Sequence, residues 1–166
     1  MEPKNFLILG GSSGIGFEIV RALHEIGAEI MVGSRSQKES LRMEGVKHIS
    51  LDVSSDFKLE GLPDVLNGLV YCPGTIRLKS FQRLEVDDFM EDMRINLLGA
   101  VKTIQVCLPK LKKSKSGASV VLFSTVAVQT GMPLHASVAA SKGAVEGLTR
   151  SLAAEFAPRI RFNAIA

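Results

Sequence analysis

Near its N-terminus the chain carries Gly10-Gly11-Ser12-Ser13-Gly14-Ile15-Gly16, four glycines in seven residues, set between two segments of opposite periodicity. Before it, Phe6-Leu7-Ile8-Leu9 is a continuous apolar run, as expected of a strand buried on both faces. After it, Ile15, Ile19, Leu23 and Ile26 recur four, four and three residues apart, which predicts a helix over Ser13 to Ile26 stopped by Gly27. A glycine turn at a strand–helix junction lets the backbone bend tightly and approach a pyrophosphate, whose charge then sits on the first amides of the helix. Gly10, Ser12, Ser13, Gly14, Ile15 and Gly16 are therefore candidate cofactor-binding residues. The spacing is Gly-x-x-x-Gly-x-Gly, not Gly-x-Gly-x-x-Gly, and no Lys is present to make a phosphate-binding P-loop. The alternative, a plain glycine-rich turn, leaves so many glycines in one turn unexplained.

Alternation continues along the chain. Glu29–Val32, His48–Leu51, Gly68–Tyr71, Ser119–Phe123 and Ile160–Ile165 read as further strands. The link between the second and third is short, so its helix is brief or absent. Phe89, Met93, Leu97, Ala100, Ile104, Leu108 and Leu111 predict one long helix over Val86 to Lys113. Another runs from near Ser137 to Ala157 and stops at Pro158. Strands alternating with helices imply parallel pairing through right-handed crossovers, hence an α/β doubly wound parallel sheet of Rossmann type in a single domain over residues 1–166. The pattern stops at an apolar strand, Asn163-Ala164-Ile165-Ala166, with no element to cover its edge. The expectation is a domain whose C-terminal strand and substrate loop lie beyond these residues.

Composition narrows the functional classes. The 166 residues are 46% hydrophobic and 22% charged, the balance of a globular domain. No apolar stretch reaches the roughly 18–20 residues of a membrane span, and no secretory leader pattern precedes the first strand. Cys72 and Cys107 lie far apart and make no Cys-x-x-Cys, so neither disulfide framework nor metal site is expected, and the compartment expected is cytoplasmic. The net charge is +3. The basic run Lys110, Lys112, Lys113 and Lys115 falls at a helix end, where cations complement the dipole. With one Tyr and no Trp for base stacking, no nucleic-acid partner is expected.

At the end of the second strand stands Gly33-Ser34-Arg35-Ser36. An acid here would accept from the 2′-hydroxyl of an NAD ribose, whereas Arg suits a 2′-phosphate. Ser34 and Arg35, with Lys38 nearby and no acid, favour NADP(H), with NAD(H) as the alternative.

Over nearly the whole chain these features resemble the short-chain dehydrogenase/reductase family: the glycine turn, Asp52-Val53 after the third strand, Gly74 after the fourth, Asn96 in the long helix, Ser124-Thr125 after the fifth, and Lys142 in the next helix. The resemblance implies adenine contacts for Asp52 and Val53, cofactor contact for Gly74, and both cofactor and catalytic roles for Lys142. Asp52 also reads as a helix cap. Asn96 would hold a water linking the lysine to solvent, and Ser124 or Thr125 would offer a hydroxyl to the substrate carbonyl. Where the family has Asn-Asn-Ala-Gly this chain has Tyr71-Cys72-Pro73-Gly74, so only the glycine matches.

The main departure is catalytic. The family pattern is Tyr-x-x-x-Lys, and aligning on Lys142 places Val138 at the tyrosine and Thr125 at the serine. Valine cannot transfer a proton, and the lone tyrosine, Tyr71, lies after a different strand. His135 is a candidate replacement, because residues 135, 138 and 142 share a helix face if the helix has begun by then. His24 and His48 have no catalytic company and read as surface or packing residues.

Together these readings imply an NADP-dependent oxidoreductase acting on a small carbonyl/alcohol pair with an altered centre. The rival is a catalytically silent dinucleotide-binding protein, a sensor or assembly partner. A methyltransferase fits the alternation but not Arg35 and Lys142. Surplus apolar faces, Met90, Leu97, Val101 and Leu108 on one helix and Ala140, Ala144, Gly147, Ser151 and Ala154 on the other, imply a homodimer or homotetramer.

Overall fold

A computed structural model describes residues 3–166. The apolar runs form strands β1 (Asn5–Leu9), β2 (Glu29–Ser34), β3 (Val46–Ser50), β4 (Gly68–Tyr71), β5 (Ala118–Phe123) and β6 (Ile160–Ile165). Every neighbouring pair is parallel, in the order β3-β2-β1-β4-β5-β6. The order reverses between β1 and β4, and in such sheets the crevice at that reversal, beyond the carboxyl ends of the strands, is where ligands bind. Here β1 ends in the glycine turn and β4 ends at Tyr71.

Two layers of helix close the sheet. Helix α1 (Gly14–Glu25) covers one face, where Val20 packs with Ile8, Val32 and Val70. On the other, Leu7, Leu9 and Leu69 pack with Ile104 and Val145. Successive residues of β1 thus serve opposite cores, the period-two rule of a strand buried on both sides.

The long helix is not one continuous α-helix. It comprises α2 (Val86–Asp92), a π-helical segment Met93–Leu98, and α3 (Gly99–Leu111). In an α-helix the Gly99 amide would bond to the Ile95 carbonyl, four residues back. Instead it bonds to Arg94 O, and Ile95 O accepts the Tyr71 hydroxyl at 2.6 Å. A Cβ at Gly99 would collide with that same hydroxyl. The phenol of β4 and the glycine of α3 therefore fit one another, and the wide turn between them carries Asn96.

This winding also shifts the exposed apolar edge. Leu97 and Leu108 pack against the core rather than facing outward, and Val101 is half-buried. The outward set is Val86, Met90, Leu98 and Val106. Beyond α4 (Ala127–Thr130), α5 runs Ala136–Phe156, and of its small-residue stripe Ala140, Gly147, Ser151 and Ala154 are exposed while Ala144 is half-buried. Between β2 and β3 there is only a 3-10 turn, Glu39–Leu41.

Candidate active site

A cleft of about 810 Å³ opens over the carboxyl ends of β1, β2 and β4, running from Arg35 and Lys38 at one end to Thr75 and Ser124 at the other. Its floor is the glycine turn. Gly10 takes φ +76° and Gly14 φ +55°, backbone that side chains disfavour. Gly16 has no room for a Cβ, which would strike Gly10 O, whereas nothing lies within 4 Å of one at Gly14. The turn is thus tight inside and open outside. Gly10, Ser12, Ser13, Ile15 and Gly16 line the cleft, and Gly14 does not. The first amides of α1 have no helical carbonyl to bond and form a ready anion cradle.

Ser34, Arg35, Asp52, Val53 and Gly74 also line this space. The Asp52 carboxylate accepts the Ser54 amide at 2.9 Å and the Ser54 hydroxyl at 2.7 Å. Those bonds, with a smaller contribution from Arg35, hold its carboxyl below the usual range. Asp52 thereby shapes the turn after β3; among the described residues no helix lies between β3 and β4, so it caps none, contrary to the expectation. Lys38 and Ser36 join Arg35 at this basic end. The residues present fit a dinucleotide phosphate: an open glycine turn, free helix amides, and the cations Arg35 and Lys38 in the same cleft.

At the opposite end the catalytic candidates fall into three groups. Lys142 is almost fully buried, and its Nζ donates to Phe123 O at 2.8 Å. A Cβ added to Gly74 would come 3.2 Å from Asn96 Oδ1 and 3.3 Å from Lys142 Nζ, so both lie directly behind the cleft wall that Gly74 forms. Asn96 Oδ1 accepts the Thr75 amide at 2.9 Å, and its Nδ2 donates to Ser141 Oγ at 2.9 Å, tying the β4 loop to α5.

The hydroxyls differ in what they can give. Ser124 lines the cleft but donates to Glu146 Oε1 at 2.6 Å, so its hydrogen is committed. Thr125 Oγ1 accepts the Ala127 amide at 3.3 Å, which leaves its own hydrogen for another acceptor. Thr75, in the wall, donates to Asp92 Oδ1 at 2.6 Å.

His135 is not brought to the cleft. Helix α5 starts at Ala136, leaving His135 at the cap with φ −103° and ψ 13°, its Nδ1 2.7 Å from Pro133 O. The shared face with residues 138 and 142 requires a helical residue 135, and the left-handed Leu134 (φ 69°) precludes an earlier start. Val138 is buried on α5.

Burial sets the electrostatics. It draws the Lys142 ammonium below the usual lysine range, while Cys72 and Asp92 oppose the shift. The Cys72 thiol is itself pushed up to about 12 by burial, so it is neutral near pH 7. Burial also raises the Tyr71 phenol above its ordinary value, and its hydrogen is held by Ile95 O.

Four features escaped the sequence reading. Tyr71 braces the π-helical segment. Asp92 sits four residues before Asn96, a polar pair on an otherwise apolar face that periodicity could have flagged. Asp92 Oδ2 and Ser137 Oγ are buried with no hydrogen-bond partner among the described residues. His48, read as a surface or packing residue, places Nε2 2.9 Å from Ser34 Oγ, a contact across two strands that no local pattern encodes.

A profile described as short chain dehydrogenase matches residues 4–166. A "Tropinone reductase homolog" of Datura stramonium is 36% identical over 177 residues, covering 96% of this chain and 66% of its own length. L-xylulose reductase of Bos taurus is 29% identical, covering 99% of this chain and 72% of its own. A solved "short chain dehydrogenase/reductase family protein" superposes with a TM-score of 0.87 at 26% identity, over 99% of this chain and 74% of the other. The chain thus spans about two thirds of the length of the curated relatives it matches.

Proposed function

Because this chain belongs to the short-chain dehydrogenase/reductase family, we propose that it is an oxidoreductase passing hydride between NADP(H) and a carbonyl/alcohol pair, with Lys142 as its proton donor. The observation that carries this reading is the single cleft joining a cationic end at Arg35 and Lys38 to a wall backed by Lys142 and Asn96. The reductase names of the two relatives support the same class of reaction.

When bound, the nicotinamide supplies or accepts the hydride. The chain's residues do the rest. Gly10, Ser12, Ser13 and the α1 amides take the pyrophosphate, Arg35 and Lys38 the 2′-phosphate, and Asp52 and Val53 flank the adenine. Thr125 has a free hydroxyl hydrogen with which to orient a carbonyl oxygen. Reduction then needs one proton at that oxygen. With valine at position 138, the acid in this reading is the Lys142 ammonium, which stands behind Gly74 and does not itself line the cleft. It has three N–H donors, one of them on Phe123 O. A burial-lowered pKa makes it a stronger acid than a solvated lysine, as general acid catalysis requires. An Nζ–H bond breaks as the O–H bond forms, and the neutral amine regains a proton from solvent. Asn96 keeps the lysine's surroundings fixed by bridging Thr75 and Ser141.

The test is consumption of NADPH over a panel of small ketones and aldehydes by the wild type, Lys142→Met and Val138→Tyr. Turnover by the wild type and its loss in Lys142→Met are expected. NADPH binding without turnover in wild type and Val138→Tyr alike would leave the silent-binder reading.

A further inference from the structure

We infer that His48 fixes the polarity of the Ser34 hydroxyl and thereby biases the ribose end of the cleft toward a phosphate. This rests on the reading of the cleft as an NADP(H) site. Strands β2 and β3 pair with Val32 opposite His48 and Ser34 opposite Ser50, so the ring reaches Ser34 diagonally. Its Nε2 lies 2.9 Å from Ser34 Oγ. Ser34 is 8% exposed, and it lines the cleft beside Arg35, Ser36 and Lys38.

A serine hydroxyl has one hydrogen and two lone pairs. That hydrogen goes to the Ser36 carbonyl at 3.0 Å, an oxygen that can only accept. Oγ must therefore meet the imidazole as an acceptor, and Nε2 must carry a proton. The neutral tautomer protonated on Nδ1 alone cannot make this contact while the Ser36 bond stands. Two bonds read together assign a tautomer that neither fixes alone.

The consequence lies on the cleft side. Because the ring donates into Oγ, the hydroxyl hydrogen points away from His48, toward Ser36 and the cleft. Turning it from Ser36 O to a ligand oxygen gives up one bond to a neutral carbonyl and makes one to an anion, which is the stronger. Ser34 then acts as a third donor beside Arg35 and Lys38. A ribose 2′-hydroxyl brings one oxygen with two lone pairs to these three donors, whereas a 2′-phosphate, with three terminal oxygens, accepts from all three. The opposite tautomer would turn the Ser34 hydrogen inward and present lone pairs, an acceptor suited to the hydroxyl. His48 touches no ligand; it is a positioning residue acting through Ser34.

The experiment uses the full chain as wild type, His48→Gln and His48→Leu. Affinities for NADPH and NADH are measured by calorimetry, and the imidazole nitrogens of the wild type are assigned by ¹⁵N NMR. Gln keeps an N–H near the Nε2 position and Leu removes it. The expected results are a ring protonated on Nε2, a fall of about fivefold in the NADPH/NADH preference for His48→Leu, and retention of the preference in His48→Gln. A ring protonated on Nδ1 alone, or equal weakening of both cofactors in His48→Leu, overturns the inference while leaving the NADP(H) reading intact. A wild type with no preference for NADPH overturns that reading, and with it the bias assigned to His48. Melting temperatures of the variants separate loss of fold from loss of selectivity.

Discussion

The Tyr71 hydroxyl donates to Ile95 O at 2.6 Å, and one helical turn later Gly99 leaves room for that hydroxyl. The pair couples the end of β4 to the π-helical segment that presents Asn96. Tyr71→Phe removes the donor and leaves a buried carbonyl unpaired, at a cost of about 1–3 kcal/mol. Chemical denaturation should show that loss. Since the phenol is locked and its pKa raised, turnover should fall without vanishing. Abolished turnover in a folded Tyr71→Phe would make Tyr71 the acid and contradict the role given to Lys142.

Arg35→Ala should weaken NADPH binding roughly ten- to a hundredfold, the value of a hydrogen bond to a charged group. NADH affinity should hardly change, because Asp52 owes its low pKa chiefly to Ser54 and stays ordered without the arginine. Calorimetric titration with both cofactors decides it, and equal losses would remove the 2′-phosphate from this end of the cleft.

Gly74→Ala puts a methyl group 3.2 Å from Asn96 Oδ1 and 3.3 Å from Lys142 Nζ. The two must give way by a few tenths of an ångström. Small displacements at a reacting centre are costly, so turnover should drop about tenfold or more. Circular dichroism should report an unchanged fold, and wild-type turnover in this variant would separate Lys142 from the chemistry.

The stripe of Ala140, Gly147, Ser151 and Ala154 on α5, with the outward Met90, Leu98 and Val106, leads us to propose a homo-oligomer through these helices. Gly147→Glu, in open space on the stripe, should shift sedimentation toward the monomer without lowering the stability of the chain itself. A wild type that sediments as a monomer at micromolar concentration would argue against it.

What the sequence revealed follows from which forces are local. β4 and β6 were legible to the residue, Gly68–Tyr71 and Ile160–Ile165: the first is an apolar run buried throughout, and the second alternates Ile160, Phe162 and Ala164 with Arg161 and Asn163, the period of a strand with one buried face. Pro158 marked the end of α5 for the same local reason. The π-helical segment was illegible: its widened turn depends on a phenol 24 residues earlier, and the apolar spacing of 93–98 is also that of an α-helix. His135 misled because the left-handed backbone at Leu134 decides where α5 begins, and that conformation is not written in the side-chain pattern. His48 and Asp92 gain their meaning from partners on other elements, Ser34 and Thr75, so spacing alone gave them none.

The central claim is that a buried lysine supplies the proton in a centre without the family phenol, and the pH profile of NADPH-dependent carbonyl reduction tests it most directly. If Lys142 is the acid, kcat falls as pH rises through its pKa, at a limb below the ordinary lysine value because burial lowers it. Lys142→Met should lose that limb together with roughly 10²–10⁴-fold in rate, the usual worth of general acid catalysis. A wild-type rate independent of pH across this range, or a Lys142→Met variant that retains both rate and limb, would contradict the account.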